Sequence, residues 1–310
     1  MDGIKFIKEG FLTTIQDLGR YGFQKFGMPV SGAMDSYSLK TANWLVGNPR
    51  ESACFEITFQ GPEIEFHCET VIGLSGAPMQ ASLNGNTLQS DTSYRVFRGD
   101  ILRTGIVQQG VRSYLAIAGE IEIPEVMGSK STYLRGRLGG FHGRKIEAGD
   151  EIAIKPSGFS DVRQLPYEFR QFFSTSQTLR IIPGTEVSYF ELSGITSFLT
   201  SEYTVSPQND RMGYRLSGQA ITHKSGADII SSGITNGSIQ VPGHGQPIIM
   251  LADHQTVGGY TQIANIVSVD IPLVGQLKTG DKIHFRETSL QEAHDLIEKQ
   301  EQLFKNLYLL

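Results

Sequence analysis

Residues 278–285, KTGDKIHF, echo residues 147–154, EAGDEIAI, and the fold is read outward from that echo. Each stretch sets Gly-Asp in front of a run whose apolar residues alternate, the pattern of a tight turn feeding a strand. The openings match in kind: IKFIKEG at 4–10 and LRIIPGT at 179–185 are both short apolar runs ending near a glycine. The expectation is a weak internal repeat spanning two related domains, 1–157 and 178–310. The stretch 158–177, polar and carrying Pro166, reads as the linker between them. A chain of 310 residues exceeds the usual size of one core, which independently favours two.

The 35 glycines are scattered, punctuating short apolar runs as turns do, so the chain reads as mainly β. Expected strands in the first half are Ile4–Ile7, Ala53–Thr58, Thr70–Ser75, Ser93–Phe97, Arg112–Ala118 and Glu151–Lys155. The second half offers Leu179–Pro183, Ala227–Ser231, Ser238–Val241, Pro247–Leu251, Asn265–Val269 and Lys282–Arg286. Two helices are expected. One follows SGAMD, with Ser31 able to cap it and Asp35 in its first turn; the other starts at the capping box Ser289–Glu292. In the latter, Leu290, Ala293, Ile297, Phe304 and Leu307 recur at helical intervals, so it is expected to pack across a barrel.

Charged residues are 19% of the chain and the net charge is -5. With no concentrated basic stripe, a nucleic-acid-binding surface is disfavoured. MDGIKFIKEGFLTT lacks the apolar core of a secretory signal, and no apolar run approaches a membrane span, so the expectation is a cytoplasmic protein with no membrane partner. Cys54 and Cys68 fit neither a disulfide framework nor a metal-ligand spacing. No P-loop, nucleophile elbow or HExxH helix appears.

Four polar, glycine-bearing stretches carry the candidate chemistry. SGAMD (31–35) is a helix start or an anion-binding helix N-terminus. MGSKSTYLRGRLGGFHGR (127–144) holds Lys130, Arg135, Arg137 and Arg144, which could converge on a carboxylate or phosphate or serve an interface. In SPQNDRMGYRL (206–216), Arg211 and Arg215 could fork onto a carboxylate or form a surface turn with Asp210. PGHGQPIIMLADHQTVGGY (242–260) places Asp253, His254, Gln255 and Thr256 at the end of an apolar strand as an acid/base pair with two orienting donors. His244 lies at the other end of that strand, which disfavours a shared metal site, and no metal is expected.

In order along the chain, SGAMDSYSLKTANWLVGN, FEITFQGPEIEF, RSYLAIAGEIEIPEVMGSKSTYL, NDRMGYRLSG and GQPIIMLADHQTVGGYTQIA resemble the KipA family. That family is also described as the C subunit of 5-oxoprolinase, allophanate hydrolase subunit 2-like or biotin-dependent carboxyltransferase-like. The resemblance runs from about Ile4 to Arg286 and implies two cyclophilin-like β-barrel domains. It implies an ATP-dependent 5-oxoprolinase that opens 5-oxoproline to glutamate. The partners it implies are a KipI-like B subunit together with a LamB/YcsF-like A subunit. ATP is then a co-substrate shared with a partner and a lactam is the substrate, while homo-oligomerisation stays open. By motif, Asp253, Arg211 and Thr256 are the catalytic candidates. Gln255, His254, Gly258, Gly259, Tyr260, Lys130, Ser131, Met34 and Asp35 are the substrate-binding ones. Glu120 stands where the family's AGGI pattern suggests glycine, and His254 where arginine is frequent. The alternatives are a biotin-dependent carboxyltransferase of the urea carboxylase type, for which this chain lacks an AMKM-type biotin carrier stretch, and a non-catalytic antagonist of a KipI-like kinase inhibitor.

Overall fold

The computed structural model describes residues 2–157 and 161–310, so positions 158–160 of the expected linker lie outside the described residues. Two compact units emerge: the chain up to Arg20 with Ser31–Phe173, and Tyr21–Val30 with Ser174–Leu310. The rest of the expected linker is divided between them, because 161–173 groups with the first unit and the first strand of the second starts at Ser176.

The first unit holds β1 (Gly3–Lys8), β2 (Leu12–Gln16), α1 (Ser36–Leu45), β3 (Cys54–Thr58), β4 (Glu63–Phe66), β5 (Thr70–Gly76) and β6 (Met79–Leu83). It continues through β7 (Asn86–Thr87), β8 (Thr92–Val96), β9 (Ile101–Val107), β10 (Arg112–Ile117), β11 (Gly119–Ile121) and β12 (Glu151–Pro156). Two sheets result, ordered β11-β12-β1-β4-β9-β6-β7 and β2-β3-β10-β5-β8. Alternate residues of both, among them Phe6, Ile64, Phe66, Phe55, Ile57 and Leu115, meet in one core. Strand β10 is buried on both faces: Leu115 and Ile117 enter that core, while Tyr114 and Ala116 join the cluster of Leu39, Ala42 and Val46 around α1. Gly73 lets the helix sit close, since a Cβ there would come within 2.8 Å of Leu45 Cβ.

The second unit contains β13 (Ser176–Pro183), α2 (Leu192–Thr200), β14 (Tyr203–Asn209), β15 (Gly213–Ser217), β16 (Asp228–Gly233), β17 (Ser238–Gln240) and β18 (Ile248–Met250). Then come β19 (Val257–Tyr260), β20 (Gln262–Ile266), α3 (Ile271–Val274), β21 (Lys282–Glu287) and α4 (Leu290–Leu309). Seven strands close a barrel in the order β13-β20-β17-β18-β15-β14-β21, and β16 with β19 forms a separate ribbon. Closure leaves the barrel strands no unpaired edge. The chain is thus mainly β with few helices, and no described helix is long and apolar enough to cross a membrane.

The Gly-Asp turns are equivalent in detail, but their opening strands are not. Asp150 accepts from the Glu147 amide (2.8 Å) and Asp281 from the Lys278 amide (3.0 Å), each after a glycine at φ near +90°. The first turn docks on Phe6 of β1 through two backbone hydrogen bonds, the second on Val205 of β14 through the same two. The counterpart of β1 is therefore β14 and not the LRIIPGT strand. Strand β13 runs parallel to β21, whereas β1 is antiparallel to β12. FRGD at 97–100 forms a third such turn, docked on Phe66, which the sequence reading missed.

Three local expectations need correction. Asp35, not Ser31, caps α1, because its side chain accepts from the Ser38 amide while Ser31 sits four residues upstream at φ +58°. The strand expected at Asn265–Val269 is β20 at Gln262–Ile266; Val267 turns out of the ladder into a short helix at Ser268–Asp270. Helix α4 starts at its Ser289 cap, yet it buries Ala293, Phe304 and Leu307 while Leu290 and Ile297 stay exposed.

Candidate functional site

In the first unit, GSKST is organised by Asp17, a residue the sequence reading did not single out. One Asp17 carboxylate oxygen accepts from the Ser129 hydroxyl (2.7 Å), the Gly19 amide (2.8 Å) and the Ser131 hydroxyl; the other accepts from the Lys130 amide (2.6 Å). These bonds pin the serines and amides of the loop, and the Lys130 side chain reaches away from Asp17. Its ammonium donates to Glu120 (2.6 Å) and to the Ile121 carbonyl (2.9 Å). Lys130 is 11% exposed and Glu120 59% exposed, so a sheltered cation meets a solvent-exposed counter-ion. Both line a cavity of about 530 Å3 that also includes Asp17, Asn48, Glu125 and Lys155. The hydrogen bond and charge of Lys130 hold the Glu120 carboxyl below its ordinary range.

The four cations of the 127–144 stretch do not converge. Arg144 is engaged bidentately by Asp150 at 2.7 Å, Arg135 and Arg137 are exposed, and Lys130 alone among them lines the cavity. Ser131 faces Asp17.

SGAMD contributes structure. Asp35 is fully buried and its carboxylate takes the Ser38 amide and hydroxyl, so the helix N-terminus is already satisfied by the protein's own anion. The Met34 amide donates to buried Glu56 (2.9 Å), as does the Tyr114 hydroxyl (2.6 Å), which in turn accepts from the Asp35 amide (2.8 Å). Burial and the Glu56 charge push the Tyr114 phenol well up, so it remains a donor. Ala33 donates its amide to the Asp17 carbonyl (2.9 Å), which ties SGAMD to the segment that organises GSKST.

In the second unit, the structure brings Arg211, Asp253 and His254 together. Arg211 Nε lies 2.9 Å and Nη2 3.2 Å from the Asp253 carboxylate, with both side chains under a tenth exposed. Main chain reinforces the pair, the Asp253 amide donating to the Arg211 carbonyl (2.8 Å). Arg211 is thus neutralised from within, and Asp253 is held as an acceptor of guanidinium protons. His254 is buried, and its Nδ1 lies 2.6 Å from the Gln255 carbonyl. A carbonyl only accepts, so Nδ1 carries the proton, and burial depresses the imidazole pKa. His254 is neutral at pH 7 and keeps a lone pair on Nε2. Thr256 and Gln255 are half-buried, and the Thr256 carbonyl accepts from the Ile234 amide. Gly258, Gly259 and Tyr260 lie in β19 of the ribbon. Gly258 is closely packed: a Cβ would come 2.5 Å from Ile234 Cδ1 and 2.6 Å from Gln240 Nε2, so the ends of both side chains would have to shift.

A mainly β protein has emerged with a strand-rich double-sheet unit, a closed barrel and polar loops bearing Lys130, His254 and a buried Arg211–Asp253 pair. The chain belongs to the family of carboxyltransferase domains, subdomain A and B, which it matches over residues 26–287. It is 36% identical over 304 residues to the 5-oxoprolinase C subunit of Escherichia coli, covering 98% of this chain and 97% of that protein. It is 33% identical to the urea amidolyase of Saccharomyces cerevisiae over 96% of this chain, but only 17% of that protein. The crystal structure of the Kluyveromyces lactis urea amidolyase superposes with a TM-score of 0.93 at 31% identity, over 98% of this chain and 20% of that one. The chain therefore spans about a fifth of that solved relative.

Proposed function

We propose that the chain is the C subunit of a cytoplasmic, ATP-dependent 5-oxoprolinase. It acts with a KipI-like B subunit, together with a LamB/YcsF-like A subunit, to open 5-oxoproline to L-glutamate. The observation that carries this reading is the end-to-end match to a 5-oxoprolinase C subunit, against the small fraction covered of the urea amidolyases.

Opening a lactam requires its carbonyl to become electrophilic, because amide resonance makes it a poor one. Phosphorylation of the amide oxygen by ATP creates a leaving group and localises charge. The residues of this chain suit binding and proton handling. Lys130 offers a sheltered ammonium to a carboxylate or phosphoryl oxygen, and neutral His254 offers a lone pair to a proton. Arg211 stays charged and fixed by Asp253, with Gln255, Thr256 and Tyr260 as polar neighbours along the chain. Nucleotide binding is proposed to involve one of the partners. A second reading, a biotin-dependent carboxyltransferase, is favoured by the family description and the urea amidolyase likeness. The antagonist of a KipI-like inhibitor has no such observation behind it.

The test is glutamate release from 5-oxoproline and ATP by the purified KipI-like and LamB/YcsF-like subunits, with and without this chain. Release only when all three proteins are present supports the proposal. Tight binding to the KipI-like partner without release, or activity that depends on a biotinylated carrier, overturns it.

A further inference from the structure

Two of the quoted motifs meet in a place the proposed function does not use. Strands β14 and β15 pair in register at Val205 with Leu216 and again at Asn209 with Tyr214. Ser206, Pro207 and Gln208 therefore bulge out opposite the single residue Arg215, and a bulge of this kind re-aims side chains and opens the surface beside it. On the other flank Arg215 pairs with Ile248 of β18, which follows the GHGQP turn. The result is a cavity of about 350 Å3 whose lining includes Arg215, His244, Ser206 and Ser217 and holds no carboxylate.

Both walls are fixed without a ligand. The bulge is pinned by the Asn209 side-chain amide, which donates to the Ser206 carbonyl and to Thr279 Oγ1 (2.9 Å). The GHGQP turn is closed by the Gly245 amide on the Pro242 carbonyl (2.8 Å), and Gly245 at φ +77° faces Ile221 so closely that a side chain is excluded. Gln246 clamps the turn to Gly218 through two hydrogen bonds of 2.8 and 3.0 Å. The Gln246 amide donates to His244 Nδ1 (3.2 Å), so the neutral ring carries its proton on Nε2 as a donor. The Arg215 side chain has no hydrogen bond or ion pair among the described residues, in a chain where most arginines are paired.

We propose that Arg215, His244 and the hydroxyls of Ser206 and Ser217 form a binding site for a phosphoryl group. A guanidinium fork, an imidazole N–H and two hydroxyls supply only donors toward a tetrahedral oxyanion, and no lining carboxylate repels it. The site stands on this geometry alone and survives failure of the 5-oxoprolinase reading. If that reading holds, the occupant is a phosphate of the nucleotide or the product orthophosphate.

The isolated full chain is titrated with inorganic phosphate at constant ionic strength, following histidine ring signals by NMR, with that of His244 assigned from His244→Gln. A saturable shift of the His244 signal is expected. Arg215→Gln should weaken it about tenfold or more, while Arg137→Gln, at an exposed arginine elsewhere, leaves it unchanged. ATP saturating at lower concentration than inorganic phosphate identifies a nucleotide as the source; the reverse order identifies free phosphate. A shift that fails to saturate, that matches an equal addition of chloride, that survives Arg215→Gln, or that 5-oxoproline produces and phosphate does not, overturns the site. Unchanged thermal unfolding of Arg215→Gln separates lost binding from lost folding.

Discussion

Replacing Arg211 by alanine tests whether the Arg211–Asp253 pair braces the barrel. Both side chains are under a tenth exposed, so solvent screens the pair little, and Arg211→Ala leaves the Asp253 carboxylate buried without its guanidinium. Breaking a buried pair from one side costs about 3–5 kcal/mol. The second unit has roughly 150 residues, a size at which each kcal/mol lowers the melting temperature by about 2–4 °C, so the expected loss is about 6–20 °C. The assay is calorimetry of the full chain, following the transition that the substitution moves. Arg211→Met combined with Asp253→Leu should recover most of the loss, since apolar replacement of both partners leaves no orphan charge. A shift below about 2 °C for Arg211→Ala, or a double variant as unstable as the single, refutes the reasoning.

The double variant also separates a brace from a binding group. An expectation drawn from the motif alone is that Arg211→Ala lowers activity without unfolding the chain, and the buried bidentate geometry argues against its second half. If the reconstituted enzyme regains turnover in the stable double variant, Arg211 is a brace. If it stays inactive though folded, the pair does more than brace, and one of its two charges acts in the reaction.

Glu120→Gln should leave melting within about 2 °C, because a pair with one exposed partner contributes little. In the reconstituted enzyme it should lower the KM for 5-oxoproline by freeing Lys130; an unchanged KM removes Lys130 from substrate binding. His254 has its pKa depressed by burial in the fold, so the unfolded chain binds the proton first as pH falls. Its contribution is complete above the unfolded value near 6.5 and is lost as pH drops toward the folded value, and His254→Gln should flatten that part of a urea-midpoint profile measured from pH 7.5 to 5. Gly258→Ala should cost about 1–3 kcal/mol by overpacking against Ile234 and Gln240. Gly259→Ala, whose nearest neighbour would be 3.4 Å away, should cost much less, and equal urea midpoints contradict the packing account.

What the sequence disclosed was local chemistry. The Gly-Asp turns at 147–150 and 278–281 were legible because the turn needs a glycine at positive φ and an aspartate to accept the amide three residues back, both written within four residues, although the same signal in FRGD was missed. The Ser289 cap of α4 was legible for the same reason, whereas at α1 residue type pointed to Ser31 and the cap is Asp35. Pairing across the chain was hidden. Nothing in LRIIPGT says that its strand will run parallel to KIHFRE, and nothing in DLGR marks Asp17 as the centre of a loop more than a hundred residues onward. The one available hint was that GSKST, with four successive hydroxyl or ammonium side chains, needs an acceptor, without saying which.

Charge accounting explains why the motif-based candidates divide as they do. A buried ion must find a counter-ion inside the fold or shift its pKa, so the most enclosed motif residues are the ones most completely answered by the protein itself. Asp35 is answered by Ser38 and a helix terminus, and Arg211 by Asp253. The recognition proposed above rests on charges whose partners are solvent-exposed or lacking, namely Lys130 facing exposed Glu120 and Arg215 facing a carboxylate-free cavity. Identical side chains in neighbouring motif positions, Arg211 and Arg215, thus meet opposite surroundings because β15 alternates: Tyr214 and Leu216 turn into the barrel, Arg215 out of it, and Arg211 lies in the turn before, against Asp253.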